Sequence, residues 1–246
     1  MKAPKFLPMG LLVLGLVFAV TGFATPIGIL SVSQCAGGGV TVTLTTLDWL
    51  TPTGGGNGCL VTDVPTNVTY TGGGPLNAGD TTGTIKDLSL GGPTPVLDFM
   101  FFSDQPNLHF DLISLGPGAA NTVCSAALNP NNPNCSVAPG SPTILTPTAT
   151  GTTVTLSAIG TARDLSAQIS NWSGLYTAQF PAVTPAQLQS AILSGTSIAG
   201  FCTGGACTDS YSGSFTVTTI PEPVTPVLIG AGLLALASLR RRRSLV

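Results

Sequence analysis

Charge is what this chain has least of. Of its 246 residues, 8 are Lys or Arg and 10 are Asp or Glu, 7% in all, where an ordinary globular domain carries about 25%. There is one histidine, a single glutamate (Glu222), and aromatic residues make up 6%. A coiled coil is excluded, because its flanking positions need charge. A basic nucleic-acid binder is excluded as well, because nothing here would neutralise a phosphate backbone. Between residues 25 and 219 the basic residues are Lys86 and Arg163, facing nine aspartates. That stretch is weakly acidic and repels polyanions, so no nucleic-acid partner is expected. In place of charge the chain has 31 glycines, 20 prolines, 34 threonines and 20 serines. Glycine and proline at that density exclude a helical bundle.

Long apolar runs occur only at the two ends. Lys2 and Lys5 precede an apolar stretch over residues 7–20, and Gly22 and Ala24 stand at −3 and −1 of a cut after Ala24. This is the pattern of a secretory signal peptide, residues 1–24, with an apolar core shorter than the ~20 residues of a spanning helix. Cleavage there implies export, and export permits disulfides.

The carboxyl end reads Ile220-Pro221-Glu222-Pro223, then sixteen uncharged residues from 224 to 239, then Arg240, Arg241, Arg242 and Arg243. As a helix the middle part would be about 24 Å long, marginal for a ~30 Å hydrocarbon core. The arginines would remain cytoplasmic and leave the body outside. Two prolines hold the backbone around Glu222 extended, a form that a processing enzyme can grip. Pro-Glu-Pro, a short apolar helix and an Arg cluster, in that order, resemble the PEP-CTERM sorting signal of bacterial exported proteins. The resemblance covers residues 220–246 only. It implies recognition by an exosortase, a membrane-embedded cysteine transpeptidase. Pro221, Glu222 and Pro223 would be its recognition site, and Arg240 to Arg243 the membrane-retention signal. It also implies an inner-membrane precursor and a final place in the envelope, at the cell surface or in the extracellular matrix.

Residues 25–219 are left as one exported domain. Alternation of apolar and hydroxyl residues predicts strands over 40–47 and 152–159, a more buried pair over 95–102 and 107–115, and further strands over 176–180 and 212–220. Clusters of Gly, Pro and Asn separate them. The expected fold is all-β, an antiparallel β-sandwich-like body with one short helix. That helix is expected from Thr184 to Gly195, with Thr184 as N-cap, Pro185 at N1, Gln187 completing a capping box and Gly195 closing the end. Residues 172–177 (WSGLYT) and 211–216 (YSGSFT) echo each other. They read as two neighbouring strands whose glycines give a bulge or a close approach.

Six cysteines in an exported chain predict three disulfides among fifteen possible connectivities. Pairing along the sequence is the economical choice: Cys35 with Cys59, Cys124 with Cys135, Cys202 with Cys207. The spacing of Cys202 and Cys207 would also suit zinc, but no second close pair or histidine accompanies it. No metal or cofactor is expected. His109 and Asp111 share one strand face, as a base and its orienting carboxylate would, yet no Gly-x-Ser-x-Gly elbow supplies a nucleophile. Asp80, Asp87, Asp98, Asp104 and Asp111 could include a calcium pair, but they follow no calcium-loop pattern. Asn67 and Asn171 head glycosylation sequons that a bacterium with this tail is not expected to use. The expected function is therefore a non-enzymatic exported envelope or matrix protein, sorted by its tail. One alternative is an adhesive or carbohydrate-binding surface sandwich that meets extracellular polysaccharide through exposed Trp49 or Trp172. The other is a secreted hydrolase built on His109 or paired aspartates.

Overall fold

The computed structural model describes residues 26–53, 56–79, 82–166 and 168–220. The signal peptide, Pro221 to Pro223 and Arg240 to Arg243 lie outside the described residues. Among those described, no helix is long and apolar enough to cross a membrane. The strands are β1 (Ile27–Gln34), β2 (Gly39–Val42), β3 (Thr46–Leu50), β4 (Gly58–Thr69), β5 (Leu76–Asn77), β6 (Thr82–Ile85), β7 (Leu88–Ser89), β8 (Val96–Phe102) and β9 (His109–Leu115). After a long loop come β10 (Thr143–Pro147), β11 (Gly151–Arg163), β12 (Ile169–Pro181), helix α1 (Pro185–Ser194), β13 (Cys202–Thr203), β14 (Ala206–Asp209) and β15 (Ser212–Thr219).

Period-two patterning gives each long strand one buried face. In β11 every even-numbered residue from Thr152 to Ala162 is buried, and in β12 the buried positions include Ser170, Trp172, Tyr176, Ala178 and Phe180. The sheet order is β1-β15-β12-β11-β9-β8-β6-β4, and β4 pairs back onto β1. Eight antiparallel strands thus form a closed, barrel-like sheet. This corrects the purely sandwich-like expectation. Alternation with one buried face is common to barrels and sandwiches. The difference lies in β1, which uses both of its edges, one on β15 and one on β4. A sandwich-like layer does exist beyond the barrel. The far half of β11 pairs with β10, and the sheet β13-β14-β2-β3-β7 covers its inner face. There Trp49 packs 4.8 Å from the Tyr176 ring and 4.6 Å from Tyr211.

An eight-stranded barrel is just wide enough for side chains to fill it. Here Phe99, Phe102, Phe110, Trp172 and Phe215 do so, all fully buried. Small residues opposite make the room. The echoing segments are paired strands, with Gly174 opposite Phe215 and Gly213 opposite Tyr176. Each glycine accommodates the aromatic ring of the other copy, which is the close approach expected. The same logic applies to Gly160, where a Cβ would lie 2.0 Å from the Asp111 carbonyl oxygen and 2.4 Å from the Trp172 ring. That ring is fixed by its Nε1, which donates to Asp111 O at 3.0 Å and Thr161 O at 3.2 Å. Gly160→Val should therefore cost at least about 3 kcal/mol by overpacking and displacing Trp172. Thermal melts followed by circular dichroism check this. Gly74→Ala, with nothing within 4 Å, should be silent beside it.

The cysteines pair along the sequence as the economical choice had them: Cys35–Cys59, Cys124–Cys135 and Cys202–Cys207. Three disulfides mark an oxidising location, outside the cell or in its envelope. α1 has the expected N-cap Thr184, capping box and left-handed Gly195 cap. It buries Leu188, Ala191 and Ile192 against the sandwich-like layer. From its half-buried side Gln189 Nε2 donates to Thr122 O at 2.8 Å and Val137 O at 2.9 Å. With Cys124–Cys135, those bonds order the loop over residues 116–142, a length seldom left without support.

Candidate functional site

Charged groups are so scarce that the place where they meet stands out. His109 and Asp111 lie two apart on β9, and Arg163 ends β11 directly opposite His109 in register. The fourth member comes from an irregularity. Between Val96 and Met100 the β8–β9 register shifts, so residues 97–99 bulge. Asp98 there takes φ of +50°, in the left-handed region. The bulge turns Asp98 toward β9, where its backbone N–H donates to Asp111 Oδ1 at 2.6 Å.

The resulting network is tight. Arg163 Nε donates to Asp111 Oδ2 at 2.8 Å, and its Nη2 donates to Asp98 Oδ1 at 2.6 Å. His109 Nδ1 pairs with the same Asp98 oxygen at 2.7 Å. Hydrogen bonding to Asp111, foremost, raises the Arg163 pKa above its ordinary value, with both carboxylates adding to the effect. The Asp111 side chain is 6% exposed and that of His109 25%. Of the residues singled out in the sequence, His109 and Asp111 are thus brought together, but His109 binds Asp98 while Asp111 binds Arg163. Periodicity placed the first two on one face. Nothing periodic marks Asp98, because the bulge is what delivers it.

Chemically, a His–Asp pair can orient a base, but here the carboxylate is shared with a guanidinium. Every cysteine is in a disulfide, so none supplies a thiolate. Asp87 is occupied elsewhere, accepting the Trp49 N–H at 2.8 Å, and burial raises its pKa despite that bond. Among the described residues no group of three or more His, Cys, Asp or Glu is placed to hold a metal ion. The cluster ties β8, β9 and β11 together on the outside of the barrel, at the point where β8 breaks register.

The tryptophans overturn one expectation. Trp49 and Trp172 are both 1% exposed, so neither offers an aromatic platform to a surface ligand. Each ring fills the interior: Trp172 the barrel, Trp49 the space between barrel wall and small sheet. The apolar cavity beside Trp49 is only about 30 Å3, room for about one water. Compared with protein-family models, curated proteins and solved structures, the chain matches none.

Proposed function

We propose that this chain is an exported bacterial envelope or extracellular-matrix protein. It is held in the inner membrane as a precursor by residues 220–246 and sorted by an exosortase that recognises Pro221-Glu222-Pro223. Its body is non-enzymatic. The supporting observation is where the chain enters and leaves the barrel. β1 begins at Ile27, three residues past the expected cut after Ala24, and β15 ends at Thr219, two residues before Pro221. These strands are antiparallel neighbours, with Gly28 opposite Val217. Both ends of the body therefore emerge side by side at one end of the barrel. A domain held at that end by its leader and then by its tail keeps its other end clear of the membrane throughout. The three disulfides fit such a route. The alternative of a secreted hydrolase has less support, because the one histidine is locked into the Asp98–Arg163–Asp111 network.

A carboxyl-terminal tag, followed in cells with and without the exosortase, tests the reading. The mature protein should lack the tag only where the enzyme is present. Glu222→Ala should leave tagged precursor in the inner membrane, and neutralising Arg240 to Arg243 should weaken its retention there. A tag that stays on in both strains, together with a silent Glu222→Ala, would reduce the tail to a plain anchor.

A further inference from the structure

A groove of about 310 Å3 lies at the end of the barrel away from the start of β1 and the end of β15. Thr219 is level with Ser170 on β12, and the groove begins at Pro181. The two points are separated by about 36 Å of extended strand at ~3.3 Å per residue. The groove is walled by the β10–β11 turn, the end of β12, and the residues flanking the β13–β14 hairpin.

Three features define what it can hold. The first is a carboxylate with unused capacity. Asp209 Oδ1 accepts from Ser210 N–H at 2.7 Å and from Ser210 Oγ at 3.3 Å, while Oδ2 is buried with no partner among the described residues. A buried acceptor left unpaired is costly and calls for a donor. The second is a set of neutral polar groups. Thr150, Thr153 and Gln179 are among the residues that line the groove. The third is an aromatic wall. Phe201 is half-buried and held edge-to-face on Phe180 at 5.5 Å.

These features exclude most ligand classes. No Lys or Arg lines the groove, and Asp209 would repel an anion. A divalent cation wants several oxygen ligands, usually with more than one carboxylate, and Asp209 is the only acid present. An apolar ligand would strand the hydroxyls and the carboxylate. A neutral polyhydroxyl ring suits all three walls. Its hydroxyls donate to the carboxylate and exchange bonds with Thr and Gln, and its C–H face lies on the phenylalanine. We infer that this groove is a binding site for a short stretch of neutral glycan, with Asp209 as its hydrogen-bonding anchor and Phe201 as its stacking wall.

The site is built before ligand arrives. Cys202–Cys207 closes the hairpin that separates Phe201 from Asp209, and Thr208 N–H donates to Phe201 O at 2.8 Å. Fixing both groups in advance removes part of the ordering cost of binding. The smallest disulfide loop, which adds least to stability, thus contributes to the groove's shape. The volume is at the small end for ligand pockets, so affinity for one short oligosaccharide should be modest and should grow with repeated display on a surface.

The test titrates the purified full chain in detergent with cellotriose, laminaritriose, maltotriose and chitotriose, read by calorimetry and by NMR shifts. At least one should bind saturably with a Kd of about 10 mM or tighter. Asp209→Asn and Phe201→Ala should each weaken that binding tenfold or more. Near-ultraviolet circular dichroism should remain native. Asp209→Asn should melt no lower than the parent, since it removes a carboxylate charge that burial disfavours. Absence of binding for all four sugars, or full binding by Asp209→Asn, overturns the proposal. So does a response confined to calcium or spermine, which would make the groove a cation site. None of these outcomes depends on how the tail is processed, so failure here and failure of the sorting reading are separate results.

Discussion

Reducing the three disulfides of the purified protein should lower its melting temperature by roughly 15–30 °C. The bridged cysteines are 24, 11 and 5 residues apart. Restricting the unfolded chain over such loops is worth about 3.5, 2.8 and 2.2 kcal/mol respectively. Together that is about 8.5 kcal/mol, a large share of the ~5–15 kcal/mol that holds a typical domain folded. Cys35–Cys59 should matter most, and for a second reason besides loop length. It joins the chain just past β1 to the start of β4, the pair that closes the barrel. Opening that seam would expose strand edges on both sides. The double variant Cys35→Ser, Cys59→Ser should therefore take the largest single share of the fall, and Cys202→Ser, Cys207→Ser the smallest. Scanning calorimetry with and without a phosphine reductant measures all three. A fall below about 5 °C on full reduction would mean that the aromatic core holds the barrel unaided.

The strands were legible where hydroxyl and apolar residues alternate, and they were misread where threonine serves two purposes. Residues 40–47 scan as one strand. They form β2, a turn and the start of β3 instead, because Thr43 Oγ1 accepts from the N–H groups of Thr45 and Thr46 at 3.2 and 2.9 Å. A hydroxyl that caps a turn looks the same in sequence as one that faces solvent from a strand. β4 is invisible for the opposite reason, since Pro65 argues against a long strand. The structure places Pro65 at a register shift in the β1–β4 pair. There Thr66 Oγ1 takes over the lost ladder bonds, accepting from Ser31 N–H at 2.9 Å and donating to Ser31 O at 2.7 Å. Barrel closure depends on that strand, so missing β4 meant missing the barrel. The helix was legible because its caps are local, and the disulfides because each joins neighbouring stretches. The charged cluster and the distal groove were not, since Asp98 arrives by a bulge and the groove draws on four distant segments.

Arg163→Met should destabilise the protein by about 2–4 kcal/mol, more than a surface ion pair of ~0–1 kcal/mol would account for. The size of the effect turns on which partner is buried. The Arg163 side chain is 38% exposed, so solvent still reaches its guanidinium. The Asp111 side chain is 6% exposed. Without the guanidinium it would keep one strong bond, from the Asp98 N–H, and a carboxylate charge largely cut off from solvent. Asp98 would lose the same partner, and the bulge that it occupies at φ +50° would lose its fastening. Replacing both ends of the pair distinguishes the penalty for a stranded charge from the net value of the pair. Arg163→Met with Asp111→Leu should recover most of the loss, because well-packed apolar residues usually replace a buried ion pair at little cost. His109→Gln should cost less than about 1 kcal/mol, as Asp98 retains Arg163. Urea denaturation of the three variants and the parent decides the matter. If Arg163→Met alone costs under about 0.5 kcal/mol, Asp111 finds its compensation in solvent and the network is an ordinary surface pair.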